Sequence, residues 1–283
     1  MPGPLLAGAA RTTINPPMGI RMAGYTVQAD FATGVHQDLT ATCAIVSDGT
    51  AAGTAVILGL DMLWIQNPAS DEIRAQIGAR LQIPAENVLV NSSHTHLGPM
   101  TGWYGDGVDS EEYAGYAQAG GRYSTAPSDE WRLGADSVWN SFCCQCNLQA
   151  RYLDSLRDVL SGLASQAYAT LQPARAGSAV GTSTLGVNRR QKLPDGRTII
   201  GINPDGVIDR GVDVIRLDDL GGKTICTIIS TACHPIALGP ATSEVSSDYG
   251  PGRGRFSALS VCHSTSLLCG DFIWARRALD GPK

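Results

Sequence analysis

The chain has 283 residues, a formal net charge of -5 at pH 7, a pI near 5.5, 43% hydrophobic and 17% charged residues. That is the composition of an ordinary globular protein and not of a disordered one. The acidic balance excludes a typical nucleic-acid partner, because phosphate binding needs a concentrated basic face and the pairs Arg189-Arg190 and Arg276-Arg277 are too short to supply one.

In chain order, the N-terminus lacks the basic and long apolar stretches of an export signal, so the chain as it stands is expected to be cytoplasmic. No apolar run approaches the roughly 20 residues that span a bilayer, so a soluble protein is expected. The first clear unit is a hairpin: Leu39 to Ser47, a turn at Asp48-Gly49, and Ala55 to Leu60 ending at Asp61. Ser70 can cap a helix through Leu81, with Ile73, Ile77 and Leu81 forming one buried stripe. Pro84 breaks it and Asn87 to Val90 starts a strand, completing a βαβ pattern with some parallel pairing.

Residues 104–147 are rich in Gly, Tyr, Ser and Asp without a sustained apolar period, and read as a long loop insertion. Cys143, Cys144 and Cys146 lie in it; C-C-x-C lacks the two-residue gap of a zinc knuckle and reads as incidental thiols or one disulfide. Tyr152 to Leu171 regains a helical period through Leu153, Leu156, Val159, Leu160 and Leu163, and Pro173 stops it. Short strands between Gly- and Asp-rich turns follow, and Thr224 to Ala232 is apolar enough to be a central strand. The expected fold is α/β, a single domain over 1–252 with a mixed sheet, βαβ units and flanking helices; 253–283 is expected to be a divergent tail.

Three strands end in groups able to bind metal or carry protons: Asp61, His94 and His234. In open α/β sheets ligands bind beyond the carboxyl ends of strands, so these groups are expected to share a cleft. His94-Thr95-His96 would present both rings on one side of an extended strand. With His234 the set suits zinc, which commonly takes three protein ligands and keeps a fourth position open; the competing reading is a pair of hydrogen-bonded structural histidines. Asp61 reads equally as an acid-base group or as a brace accepting backbone N–H bonds. His36 and Asp38 open the first hairpin, either bordering the cleft or, more simply, as a surface pair.

Several segments then match a known family in order. Asn91 to Pro99, with His94-Thr95-His96-Leu97-Gly98-Pro99, resembles the T-H-T-H-x-G-P segment of neutral, non-lysosomal ceramidases. Gly186-Val187-Asn188-Arg189 resembles their G-V-N-R, and Ala232-Cys233-His234-Pro235 with Val245 to Asp248 resembles A-T-H and its downstream S-x-D. Gly34-Val35-His36 and the strand ending at Asp61 also fit. The resemblance implies that His94 and His234 bind Zn²⁺, that His96 contacts substrate or assists catalysis, and that Arg189 contacts polar substrate groups. It further implies hydrolysis of an N-acyl bond by zinc-activated water.

The remaining family ligands, a Glu and a Tyr, lie farther downstream than this chain reaches, so the expected object is a truncated ceramidase-like domain. His96, Asp61, Asp248 or a neighbouring subunit would replace those ligands, and self-association is expected because shortening uncovers apolar surface. The expected activity is hydrolysis of an amide, ester or phosphotriester bond, with small activated substrates favoured over long-chain ceramide. The rival is a non-catalytic remnant that binds a ligand or partner.

Overall fold

The computed structural model describes residues 4–24, 31–65, 67–101, 135–184, 186–249 and 258–262. In chain order these form β1 (Leu6–Thr13), β2 (Met22–Ala23), β3 (Gly34–Val35), β4 (Thr40–Ser47), β5 (Thr54–Leu60), α1 (Asn67–Leu81), β6 (Val88–Ser92) and β7 (Gly98–Pro99). There follow α2 (Ala135–Ala169), β8 (Gln172–Thr182), β9 (Asn188–Lys192), β10 (Thr198–Asn203), β11 (Gly211–Asp219), β12 (Thr224–Thr231), β13 (Glu244–Val245) and β14 (Ala258–Cys262). Among the described residues no helix is long and apolar enough to cross a membrane.

Eight strands build one mixed sheet in the order β14-β12-β11-β8-β1-β4-β5-β6. The expected hairpin is β4–β5, closed where Gly49 takes φ +91° and Asp48 Oδ1 accepts the Thr50 N–H at 2.9 Å. The expected βαβ unit is β5-α1-β6, with β5 and β6 parallel. The Thr224 to Ala232 expectation is met by β12, which has β11 on one side and β14 on the other.

One expectation needs correction. Residues 135–147, expected to be loop, belong to α2; a helix already nucleated by its apolar stripe extends at little cost into a segment that lacks one. Residues 104–134 lie outside the described residues. Within the expected divergent tail, β14 pairs in parallel register with β12, from Thr227 opposite Ala258 to Thr231 opposite Cys262. A five-residue edge strand backed by a partner needs no period long enough to be read locally.

Period-two alternation sorts the sheet's faces. Ala41, Cys43 and Ile45 of β4 and Val56, Leu58 and Leu60 of β5 join the core beneath the helices, with Ile73 and Ile77 of α1 and Leu156, Leu160 and Leu163 of α2. Each Val, Leu or Ile side chain among them stabilises by about 1.5–3 kcal/mol on burial. α2 passes close over Gly8 of β1, where an added Cβ would run into the Ala167 carbonyl. On the other face Ala7 and Ala44 meet Ala174, Leu217 and Cys226. β8 makes this possible as a corner: Gln172 and Pro173 pair with β1, whereas Ala174 to Thr182 pair with β11. The β12–β14 end thereby returns against β4, β5 and β6.

Candidate metal centre

The chain reaches the site from the carboxyl ends of β5, β6 and β12. After β6, the Ser93 N–H donates to the Leu60 carbonyl (2.8 Å) and the His94 N–H to the Met62 carbonyl (2.9 Å), tying the two strand ends together. His94 has φ +66°, so the expectation that His94 and His96 share one side of an extended strand is corrected: β6 stops at Ser92 and the backbone turns at His94. A left-handed histidine is strained and persists only where surrounding bonds determine it. The turn still brings the His94 and His96 ring centroids to 5.1 Å.

Bonds to two other loops lock this conformation. Thr95 Oγ1 donates to the Ser246 carbonyl (2.7 Å), and the Ser246 N–H donates to the Leu97 carbonyl (2.9 Å). The His96 N–H reaches the Pro235 carbonyl at 3.4 Å. Tyr249 donates to the Cys233 carbonyl at 2.6 Å, one residue before His234. Gly24, at φ +124°, lies against the His96 side chain; a Cβ there would be 2.6 Å from His96 Cα and Cβ, so any other residue would displace the ring.

His94, His96 and His234 are half-buried, and one nitrogen from each lies within 4.8 Å of the other two. The His96 and His234 centroids are 4.3 Å apart and their Nε2 atoms are in direct contact. His94 Nδ1 faces the Leu63 carbonyl at 2.9 Å; a carbonyl only accepts, so this nitrogen carries the proton and Nε2 keeps its lone pair. His96 is pushed down to about 3, by burial first and by His234 and His94 next, so it is neutral at pH 7. Arg189, at the start of β9, donates through an Nη2 hydrogen to His234 Nδ1 at 3.3 Å.

The donor set fits zinc. Nitrogens bound tetrahedrally at about 2.1 Å stand about 3.4 Å apart, so rings already within 4.8 Å need adjustments on the order of one ångström. The chemistry agrees, with three imidazole nitrogens converging and the Arg189 guanidinium beside them. For His234 to offer Nε2 as a ligand, its proton must reside on Nδ1, so Arg189 must yield that contact. Among the described residues no carboxylate or thiol joins the three.

Of the residues singled out from sequence, His94, His96, His234 and Arg189 meet. Asp61 is buried behind them, its Oδ2 accepting from the Thr40 N–H (2.9 Å) and hydroxyl (2.7 Å); burial raises its pKa, opposed chiefly by these two bonds. Asp248, at φ +61°, accepts the Ala237 and Leu238 N–H groups at 3.0 and 3.1 Å and so fixes the loop after His234. His36 is an exposed partner of Glu244 at 3.8 Å, and Asp38 accepts from Asn15 Nδ2 at 2.8 Å; neither joins the imidazoles. Sequence reasoning missed Gly24, Thr95, Tyr249 and the Leu63 carbonyl. The only local signal among them was a glycine outside any recognised turn.

No family model matches the sequence, and no curated protein does. Solved structures do. A ceramidase complexed with C2 superposes with TM-score 0.62 at 19% identity, over 91% of this chain and 37% of that one. The neutral ceramidase from Pseudomonas aeruginosa gives TM-score 0.63 at 18% identity, over 96% of this chain and 40% of that one. At such identity the shared property is the fold: this chain has a ceramidase-like mixed α/β fold and spans about two fifths of the length of those structures.

Proposed function

We propose that the chain is a zinc-dependent hydrolase that cleaves an amide, ester or phosphotriester bond in a small-molecule or lipid-like substrate. The observation that carries this reading is the convergence of His94, His96 and His234 beside Arg189, within a fold shared with neutral ceramidases.

His94, His96 and His234 would hold the ion, which supplies Lewis-acid polarisation and makes water nucleophilic near neutral pH. The Leu63 carbonyl orients His94 by keeping the proton on Nδ1. His96, neutral and next to His234, either completes the ligand set or holds the proton bound for the leaving group at Nε2. Arg189 carries the fixed positive charge that would stabilise the oxygen of the bond under attack. Asp61 and Asp248 serve as positioning carboxylates, holding the β5 end and the loop after His234. His36 and Asp38 would lie at the periphery. The catalytic unit is 1–252, with 253–283 contributing the edge strand β14.

Self-association belongs to the same proposal. It is supported by Val180 on β8 and Ile215 on β11, which are 75% and 43% exposed. Sedimentation should report more than one chain; a well-folded monomer at micromolar concentration would remove this part.

The activity test is a side-by-side assay of p-nitrophenyl esters, a phosphotriester and a fluorescent ceramide, each with and without chelator. Chelator-sensitive turnover of the small substrates, with little on ceramide, is expected. Efficient ceramide cleavage would overturn the substrate preference, and no turnover on any would favour a non-catalytic binding protein.

A further inference from the structure

The strand pair β9–β10 sets cations beside exposed aliphatic side chains. Its register sets Lys192 opposite Thr198 and Arg190 opposite Ile200, and residues directly opposite share a face. Gly201 belongs to the other face, where an added Cβ would stand 3.0 Å from Gln191 Cβ. Ile200 is 82% exposed and Ile202 65%. Val207, 84% exposed, follows in the turn after β10, where its carbonyl accepts from Asn188 Nδ2 of β9 at 3.0 Å. Arg190 and Lys192 are exposed and make no ion pair among the described residues.

Charge singles out the same segment. Residues 188–210 contain five Lys or Arg against three Asp, in a chain whose net charge is -5. One of those acids, Asp195, is engaged by Arg197 at 2.7 Å; Asp205 and Asp209 lie in the turn beyond β10. Strand alternation sets this face opposite the one that serves the site. Arg189 reaches His234, so its neighbour Arg190 points away from the imidazoles.

We propose that the exposed face of β9–β10, formed by Ile200 and Ile202 with Arg190 and Lys192 and continued by Val207 in the turn that follows, docks the protein on an anionic lipid surface on the side turned away from the imidazole cluster. Aliphatic side chains flanked by cations are the composition that enters the headgroup boundary of a bilayer, where burial and attraction to anionic lipid act together. A protein partner is less suited. A standard interface covers about 800 Å² per side, well beyond a strip of three aliphatic side chains, whereas a fluid surface requires no matching shape. Docking is read without turnover, so its failure and that of the hydrolase reading are separable.

The experiment uses the full chain with sedimented vesicles of phosphatidylcholine alone or with added phosphatidylserine, at low and high salt. Binding to the anionic vesicles is expected, lost at high salt. Arg190→Gln with Lys192→Gln should weaken it by roughly 25-fold, about fivefold per cation. Ile200→Ser with Ile202→Ser should abolish it, while the thermal midpoint and turnover of a water-soluble ester stay those of the wild type, because both side chains are exposed. Absence of wild-type binding, or equal binding by wild type and both variants, would overturn the proposal. So would Ile variants that convert an oligomer to a monomer while vesicle binding persists, a result that would assign the strip to a second copy of the chain.

Discussion

The β4–β5–β6 end of the sheet and its β8–β11 arm use the same ladder of backbone bonds but differ in burial. In β4 and β5 most side chains are buried, those of one face under α1 and α2, whereas β8 exposes nearly every residue from Arg175 to Thr182. Each contributes different parts of the site. The covered end supplies His94 and His96 on a turn fixed by the Leu60, Met62 and Leu63 carbonyls. Beyond the corner come His234 and Arg189, held by Tyr249 and Asp248 and by the short β9–β10 pair. Assembly of the imidazole cluster therefore depends on the sheet folding back on itself, and the stability of the site is a property of the junction.

The sharpest break is at the cluster. His94→Ala and His234→Ala, each from one side of the junction, should both lower zinc content, by more than the 10- to 100-fold typical of losing only a ligand's supporting partner, and activity should fall with it. Metal analysis of the purified double variant decides; full occupancy there would leave the three rings as a structural hydrogen-bonded group.

Stability should divide the two regions next. Leu58→Ala, in the covered core, is expected to cost about 2–5 kcal/mol in denaturant unfolding. Val180→Ser on the open arm should stay within about 0.5 kcal/mol. Equal costs would show that the arm is covered in solution, as self-association would require.

Arg189→Ala should remove about 3 kcal/mol of transition-state stabilisation, or roughly a hundredfold in kcat, while zinc content is unchanged. Loss of metal with activity would instead make Arg189 a determinant of the cluster's assembly.

The smallest effect is a pH slope. Burial raises the Asp61 pKa in the folded chain, so its favourable contribution is complete below the unfolded carboxyl value of about 3.9 and is lost as pH rises through the folded value. Asp61→Asn should therefore gain stability relative to wild type as pH rises over that interval, measured by thermal midpoints of the two proteins side by side. A constant difference would show that Asp61 does not titrate with folding.

What the sequence determined by itself was whatever one strand or helix encodes locally. Asp48-Gly49 defined the hairpin, Ile73 and Ile77 the covered face of α1, and the apolar run of β12 its central place. The His94, His96 and His234 positions just beyond strand ends pointed to a shared cleft, and their ordered matches pointed to the ceramidase-like fold. The start of α2 at Ala135 and the strand β14 were not legible, because neither segment has a period of its own and each depends on a neighbour already in place. Nor could sequence show that the Asp61 carboxylate is held by Thr40, which lies 21 residues earlier in the chain. Tertiary structure alone decided how the imidazoles meet: His94 adopts a left-handed turn and Gly24 leaves room for His96, because contacts from distant loops outweigh the local cost of that backbone.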